Sequence, residues 1–194
     1  LNNDYISAAG SFEDFLAKER NHGKRNEAIE LLQYCKSQIP YQQVNYGLEE
    51  IKQSDFDNAV LWFDTASTKA NDNLIKKIEF HRSSIANNII DSVKNYKNIM
   101  TVDEAERLIH IASNLNPEHK QINSILSSIL IDKGKLNTQV GNYLEAINNF
   151  NQAIILNPTI ENLIIKKLEK LIKLIIKDAY YATNSGDLYL AIGS

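Results

Sequence analysis

Four histidines, one cysteine and a scatter of carboxylates are the residues of this chain whose types could do chemistry, so their spacing decides. His22, His81, His110 and His119 form no His-x-x-x-His or His-Glu-x-x-His spacing, and no cysteine pair accompanies them, so no metal site is expected. Cys35 lies among Leu31, Leu32 and Ile39 and reads as a small buried core residue; alone it can form no internal disulfide. Glu49, Glu50, Asp55 and Asp57 cluster around a turn, where solvation and helix N-terminal charge account for them. Asp132-Lys133-Gly134-Lys135 lacks the glycine-framed stretch ending in Lys-Ser or Lys-Thr that cradles a phosphate. Serines, histidines and aspartates are present, but no spacing assembles a triad. The expectation is a chain without catalytic activity of its own, holding no cofactor and no metal.

Charge points the same way. The 194 residues carry a net charge of −3 with acids and bases interspersed, so no basic field is available to neutralise a nucleic-acid backbone. At 43% hydrophobic and 23% charged the composition is that of a folded chain. The greasiest stretch is broken by Lys166, Lys167, Glu169, Lys170, Lys173 and Lys177, and no apolar run reaches the roughly 18 residues of a membrane span. The chain starts at Leu1 and not at a methionine, which leaves room for an upstream segment and leaves the cellular compartment open.

The elements that must position any site are helices. Three prolines and seven glycines are few, and apolar residues recur at spacings of three and four almost throughout. Glu27 to Ile39 outlines a short helix ending near Pro40, Ala59 to Ala66 a second, Ala105 to Ala112 a third and Ala146 to Ile154 a fourth. Each of Pro40, Pro117 and Pro158 follows an alanine, Ala28, Ala105 or Ala146, by twelve residues, and Asn71 follows Ala59 at the same offset. That regularity marks repeated supersecondary units. Asn116-Pro117 and Asn157-Pro158 would start the next helices as well as stop the last, with asparagine as cap and proline in the first turn. Between these short helices, three unbroken stripes predict longer ones: about 27 residues from Asp72 to Asn98, then Ile122 to Val140 with Gly134 as a weak point, then Ile160 to Ala179. Packed side by side, they would cover one another as a wall.

The run Gly141-Asn-Tyr143-Leu-Glu-Ala146-Ile147-Asn-Asn-Phe150-Asn-Gln-Ala153-Ile-Ile-Leu156-Asn-Pro158 resembles the second half of a tetratricopeptide repeat. Tyr46 to Ala66 is similar to it nearly as closely, weaker copies cover Gly23 to Pro40 and Met100 to Pro117, and a partial one runs from Ala179 to Ala191. The resemblance implies an all-α fold, a right-handed superhelix of about ten antiparallel helices filling residues 1–194 as one repeat domain. Its repeats would span about 3–39, 40–70, 71–115, 116–156 and, incompletely, 157–194. Key alanines at positions 28, 59, 105, 146 and 191 are 31, 46, 41 and 45 residues apart, against a period of 34 for the family, so the surplus is expected in the first helix of each repeat.

Such solenoids bind partners on a concave surface lined by the first helices. Carrying that register over places Tyr41, Lys94, Lys97, Lys135, Gln139, Lys173, Tyr180 and Asn184 as the partner-binding set, with Val44, Leu48, Asn87 and Ser128 nearby. Some family members hold a terminal carboxylate there; here Ile90 and Asp132 stand where a lysine and an asparagine would be needed, and Asp132 would repel it. The resemblance therefore implies a non-catalytic scaffold for a peptide or partner protein, without nucleic acid, and with self-association through an open C-terminal end. Two other readings stay open: an accessory domain of a larger enzyme, and a peripheral membrane or envelope assembly factor. The second rests on the basic stripe Lys166, Lys170, Lys173 and Lys177 beside an Ile/Leu face.

Overall fold

Short turns with local caps cut this chain into helices. A computed structural model describes residues 4–18 and 22–184. Among them run α1 (Tyr5–Lys18), α2 (His22–Lys52), α3 (Phe56–Ser67), α4 (Asp72–Val93), α5 (Val102–Leu115), α6 (Ile122–Gln139), α7 (Tyr143–Leu156) and α8 (Glu161–Asn184). Short 3-10 turns at Tyr96–Asn98 and Pro158–Ile160 complete the described secondary structure, which contains no strand. The protein is all-α, with eight α-helices described. The last partial repeat expected around Gly186 to Ala191 lies outside the described residues.

The caps are those that the residue types dictate. Asp55 accepts from the Asn58 amide at 3.2 Å, and Thr101 Oγ1 accepts from the Glu104 amide at 3.2 Å, each pairing a donor that the first turn of a helix leaves open. Gly141 closes the turn from α6 to α7 at φ 79°, a conformation costly for any residue with a Cβ. The start of α1 is capped from farther away. The Gln42 side-chain oxygen accepts from the amides of Tyr5 at 2.8 Å and Ile6 at 3.1 Å, while its nitrogen donates to Asp4 and to the Tyr46 hydroxyl.

Two compact units divide at Ile85, within α4. In residues 1–85, α2 packs on α1 and on α3. The pairs run antiparallel: Glu13 meets Lys36 at 2.7 Å and the Leu16 carbonyl accepts from Arg25, while Tyr46 stacks on Trp62 and Asn71 donates to the Tyr41 hydroxyl at 3.2 Å. In residues 86–194, α6 packs on α5 and α7, and α7 on α8. Their core gathers Ala146, Phe150, Ile164 and Leu171, with Ile131, Tyr143, Ile147, Leu168 and Ile175 against it. Cys35 is buried and free, as its apolar neighbours implied.

Both units repeat one contact. The Phe63 ring lies against the backbone of Gly47, and the Phe150 ring against that of Gly134, in each case sixteen residues on. A Cβ at Gly47 would stand 2.9 Å from the Phe63 ring, and one at Gly134 only 2.6 Å from the Phe150 ring. Glycine here lets two helix backbones approach closely, so Gly134 is a packing point and not the weak point its residue type suggested.

Three boundaries differ from the expected ones. Pro40 does not end a helix; it is buried inside α2, which continues to Lys52 for a total of 31 residues. An internal proline forfeits one backbone hydrogen bond, worth about 3 kcal/mol with its ring clash, and α2 continues because it is packed on both α1 and α3. Pro117 stops α5 but does not start α6, which begins five residues later at Ile122. Helix α4 stops at Val93 after 22 residues, because the backbone turns at Asn95 and buries the Tyr96 ring. Nor do α6 and α8 close against each other as expected: a cleft opens between them.

Candidate functional site

Two adjoining clefts in residues 86–194 share Lys135 and Gln139 on the last two turns of α6. The first holds about 470 Å³ and is lined by Tyr96, Lys97, Met100, Thr101, Val102, Asp132 and Leu136 besides the shared pair. The second holds about 290 Å³, with Phe150, Leu171 and Leu174 as apolar floor and Lys167, Lys170 and Thr138 around it. Four lysines and a single carboxylate line them together, so the net charge at the site is opposite in sign to that of the chain.

That carboxylate is fully engaged. Asp132 takes Lys97 and Lys135 at 2.6 Å each and accepts the Tyr96 hydroxyl. The turn that ends α4 is what delivers Tyr96 and Lys97 to it. Burial pulls the Asp132 carboxyl up, but the hydrogen bonds from Lys135, Lys97 and Tyr96 outweigh it and hold the pKa at about 2. The Tyr96 phenol is pushed up, first by burial and then by its bond to Asp132. A carboxyl held below its unfolded value stabilises the fold above that value and loses its contribution as pH falls through the folded one. Stability of this unit is therefore expected to be flat near neutrality and to drop by about 2 kcal/mol between about pH 4 and pH 2 on account of Asp132. Acid titration of the unfolding free energy checks this; an unchanged acid slope in Asp132→Asn would refute it.

The second cleft is electrostatically different. Lys167 and Lys170 have no carboxylate partner among the described residues, whereas Lys133 on the same α6 segment is paired with Glu106 at 2.5 Å and Asp103 at 3.3 Å. Burial, and then repulsion from Lys135 and Lys170, lower the pKa of Lys167, and attraction from Asp132 offsets only part of this. The cleft therefore combines an apolar floor with two lysines, Lys167 and Lys170, that form no ion pair among the described residues.

Of the residues expected to bind a partner, the structure brings Lys97, Lys135 and Gln139 together. Lys94 lies outside the clefts and pairs with Asp91 at 2.6 Å. Lys173 and Tyr180 are exposed on α8, on a face that lines neither cleft, and Asn184 closes that helix. Tyr41 belongs to the other unit. Sequence reading missed Lys167, Phe150, Leu171 and Leu174 as lining residues. The available signal was Lys167-x-x-Lys170 one turn apart beside Leu171 and Leu174, on a helix whose opposite side also carries lysines.

A further feature of α8 is a ridge of Ile165, Ile172, Ile176 and Tyr180, all exposed, flanked by Lys166, Lys173 and Lys177. No helix among the described residues is long and apolar enough to cross a membrane, and they contain no cluster of histidine, cysteine and acidic side chains that could hold a metal. These features define an all-helical protein with a cationic, apolar-floored cleft. No protein-family model matches the chain, and no curated protein matches it significantly.

Proposed function

We propose that this chain is a tetratricopeptide-like repeat scaffold that binds a segment of a partner protein in the two clefts of residues 86–194 and catalyses no reaction itself. The observation that carries the reading is the meeting of Lys97, Lys135 and Gln139 at one pair of apolar-floored clefts. Cationic and apolar groups side by side suit a polypeptide, which supplies acids and large side chains on one strand. The recurrence of the glycine-phenylalanine contact at the same offset, Gly47 with Phe63 and Gly134 with Phe150, supports a repeat origin. The right-handed superhelix of about ten helices belongs to the proposal.

Affinity capture with the intact protein, followed by mass spectrometry, tests it against Gln139→Trp. This exposed position lies in both clefts, so an indole there fills the shared space without touching the core. A partner held by the native chain and lost from the variant is the expected result; a partner held equally by both would move the binding surface elsewhere. The isoleucine and lysine ridge of α8 supports a second reading, contact with an anionic membrane surface, in which the apolar side chains enter the lipid and the lysines meet the headgroups.

A further inference from the structure

Three lysines converge on the smaller cleft, and only one of them is neutralised within the protein. Lys135 is held by Asp132 at 2.6 Å, while Lys167 and Lys170, one turn apart on α8, line the cleft without an ion pair to any acid among the described residues. Beneath them lie Phe150 and Leu171, both buried in the core, and the half-buried Leu174. Gathering like charges over an apolar surface costs free energy that the fold does not recover internally. The recovery must come from a ligand that brings negative charge and apolar surface in the same few atoms.

From this we infer that the cleft between α6 and α8 is a subsite for an acidic side chain within a linear peptide, aspartate or glutamate, whose carboxylate sits between Lys167 and Lys170 while a neighbouring large apolar side chain lies on Phe150, Leu171 and Leu174. The size supports this ligand. About 290 Å³ is at the lower limit of small-molecule sites, enough for one or two side chains rather than a whole cofactor. The polarity supports it as well: Thr138 has its hydroxyl committed to the Gly134 carbonyl at 2.8 Å, so cations and apolar groups dominate what the cleft offers. Asp132 does not oppose the binding, because Lys97, Lys135 and Tyr96 already satisfy it. This inference deepens the scaffold reading and rests on it.

Selection of random dodecapeptides displayed without a free C-terminus, on the intact protein, tests both levels separately. The expected outcome is enrichment of peptides with aspartate or glutamate next to leucine, isoleucine, phenylalanine or methionine. A synthetic, C-terminally amidated winner should bind, should weaken with salt, and should lose about tenfold or more in affinity on Lys167→Gln with Lys170→Gln. Both lysines reach solvent, so the double variant should keep the native circular dichroism and thermal transition. Exposed Lys120→Gln, outside both clefts, serves as the control. Enriched peptides that lack acids, or acidic peptides indifferent to the double variant, overturn the inference; if Gln139→Trp still blocks them, the scaffold reading stands. Binding only by the free-acid form overturns it too, because the carboxylate recognised is then terminal. Failure to enrich any peptide that Gln139→Trp blocks counts against both.

Discussion

Replacing Phe150 by alanine is expected to destabilise residues 86–194 by about 3–5 kcal/mol, the usual range for removing a buried phenylalanine. Its ring is part of the core with Ala146, Ile164 and Leu171, and it also fills the space above Gly134, where a Cβ would come within 2.6 Å of it. Gly134→Ala should therefore be destabilising by itself. Overpacking costs about 1–3 kcal/mol, and the gain of about 1 kcal/mol from replacing glycine inside a helix offsets only part of that. In the Phe150→Ala background the sign should invert. The new methyl group then enters a vacated space and the helix keeps its gain, so Gly134→Ala should stabilise by roughly 0.5–1 kcal/mol. Urea unfolding of the four proteins measures this coupling. Additive effects would mean that the ring and the glycine do not define the approach of α6 to α7. Gly47 and Phe63 offer the same cycle in the other unit, where the separation of 2.9 Å predicts a smaller inversion.

Two neighbouring isoleucines of α8 should behave in opposite ways. Ile164 is 0% exposed within the core of its unit, whereas Ile165 is 42% exposed on the ridge. Ile164→Asp loses a fully buried side chain and brings an unpaired carboxylate among apolar groups. A cost of at least about 4 kcal/mol is expected, comparable with the whole stability of a small domain, so this unit should lose its cooperative unfolding transition. Ile165→Asp should change stability by less than about 1 kcal/mol. Circular dichroism with urea titration reads both, and similar losses in the two variants would show that the buried face of α8 has been wrongly assigned. The second variant also separates the two functional readings. Flotation with vesicles of phosphatidylserine should be unaffected by Ile165→Asp if the clefts are the working surface, and should be lost if the ridge is.

Much of the helical framework could be read in the order of residues. The alanine-centred helices α3, α5 and α7 fall where Ala59, Ala105 and Ala146 placed them, because a local spacing of small and bulky residues is what a helix face requires. Boundaries were less legible where tertiary contacts outweighed local chemistry. Pro40 ought to end a helix by its own properties, yet the packing of α2 on two neighbours carries the helix through it. Asn95 carries no strong stop signal, yet the burial of Tyr96 against Asp132 ends α4 there.

The site shows the same division. Lys97, Lys135 and Gln139 were named from the register that the repeat resemblance implies, and they line adjoining clefts. Lys94 and Lys173 followed from the same register and do not join them: Lys94 lies in the turn past the end of α4 and pairs with Asp91, and Lys173 is on a face of α8 that lines neither cleft. Asp132, expected to repel an anion, pairs with Lys135 three residues on, as local helical spacing allows, and also with Lys97 and Tyr96 from a distant segment, which no local pattern encodes.

Taken alone, the order of residues determined that this protein is built of helices and where most of them lie, because those properties depend on neighbours within a few turns. Only the tertiary structure decided that Gln42 caps a helix start more than thirty residues away, that phenylalanine rings lie against Gly47 and Gly134, and that Lys167 and Lys170 border a cleft without acids. Those outcomes depend on how closely helices distant in sequence can approach, and on which buried charges find partners when they do.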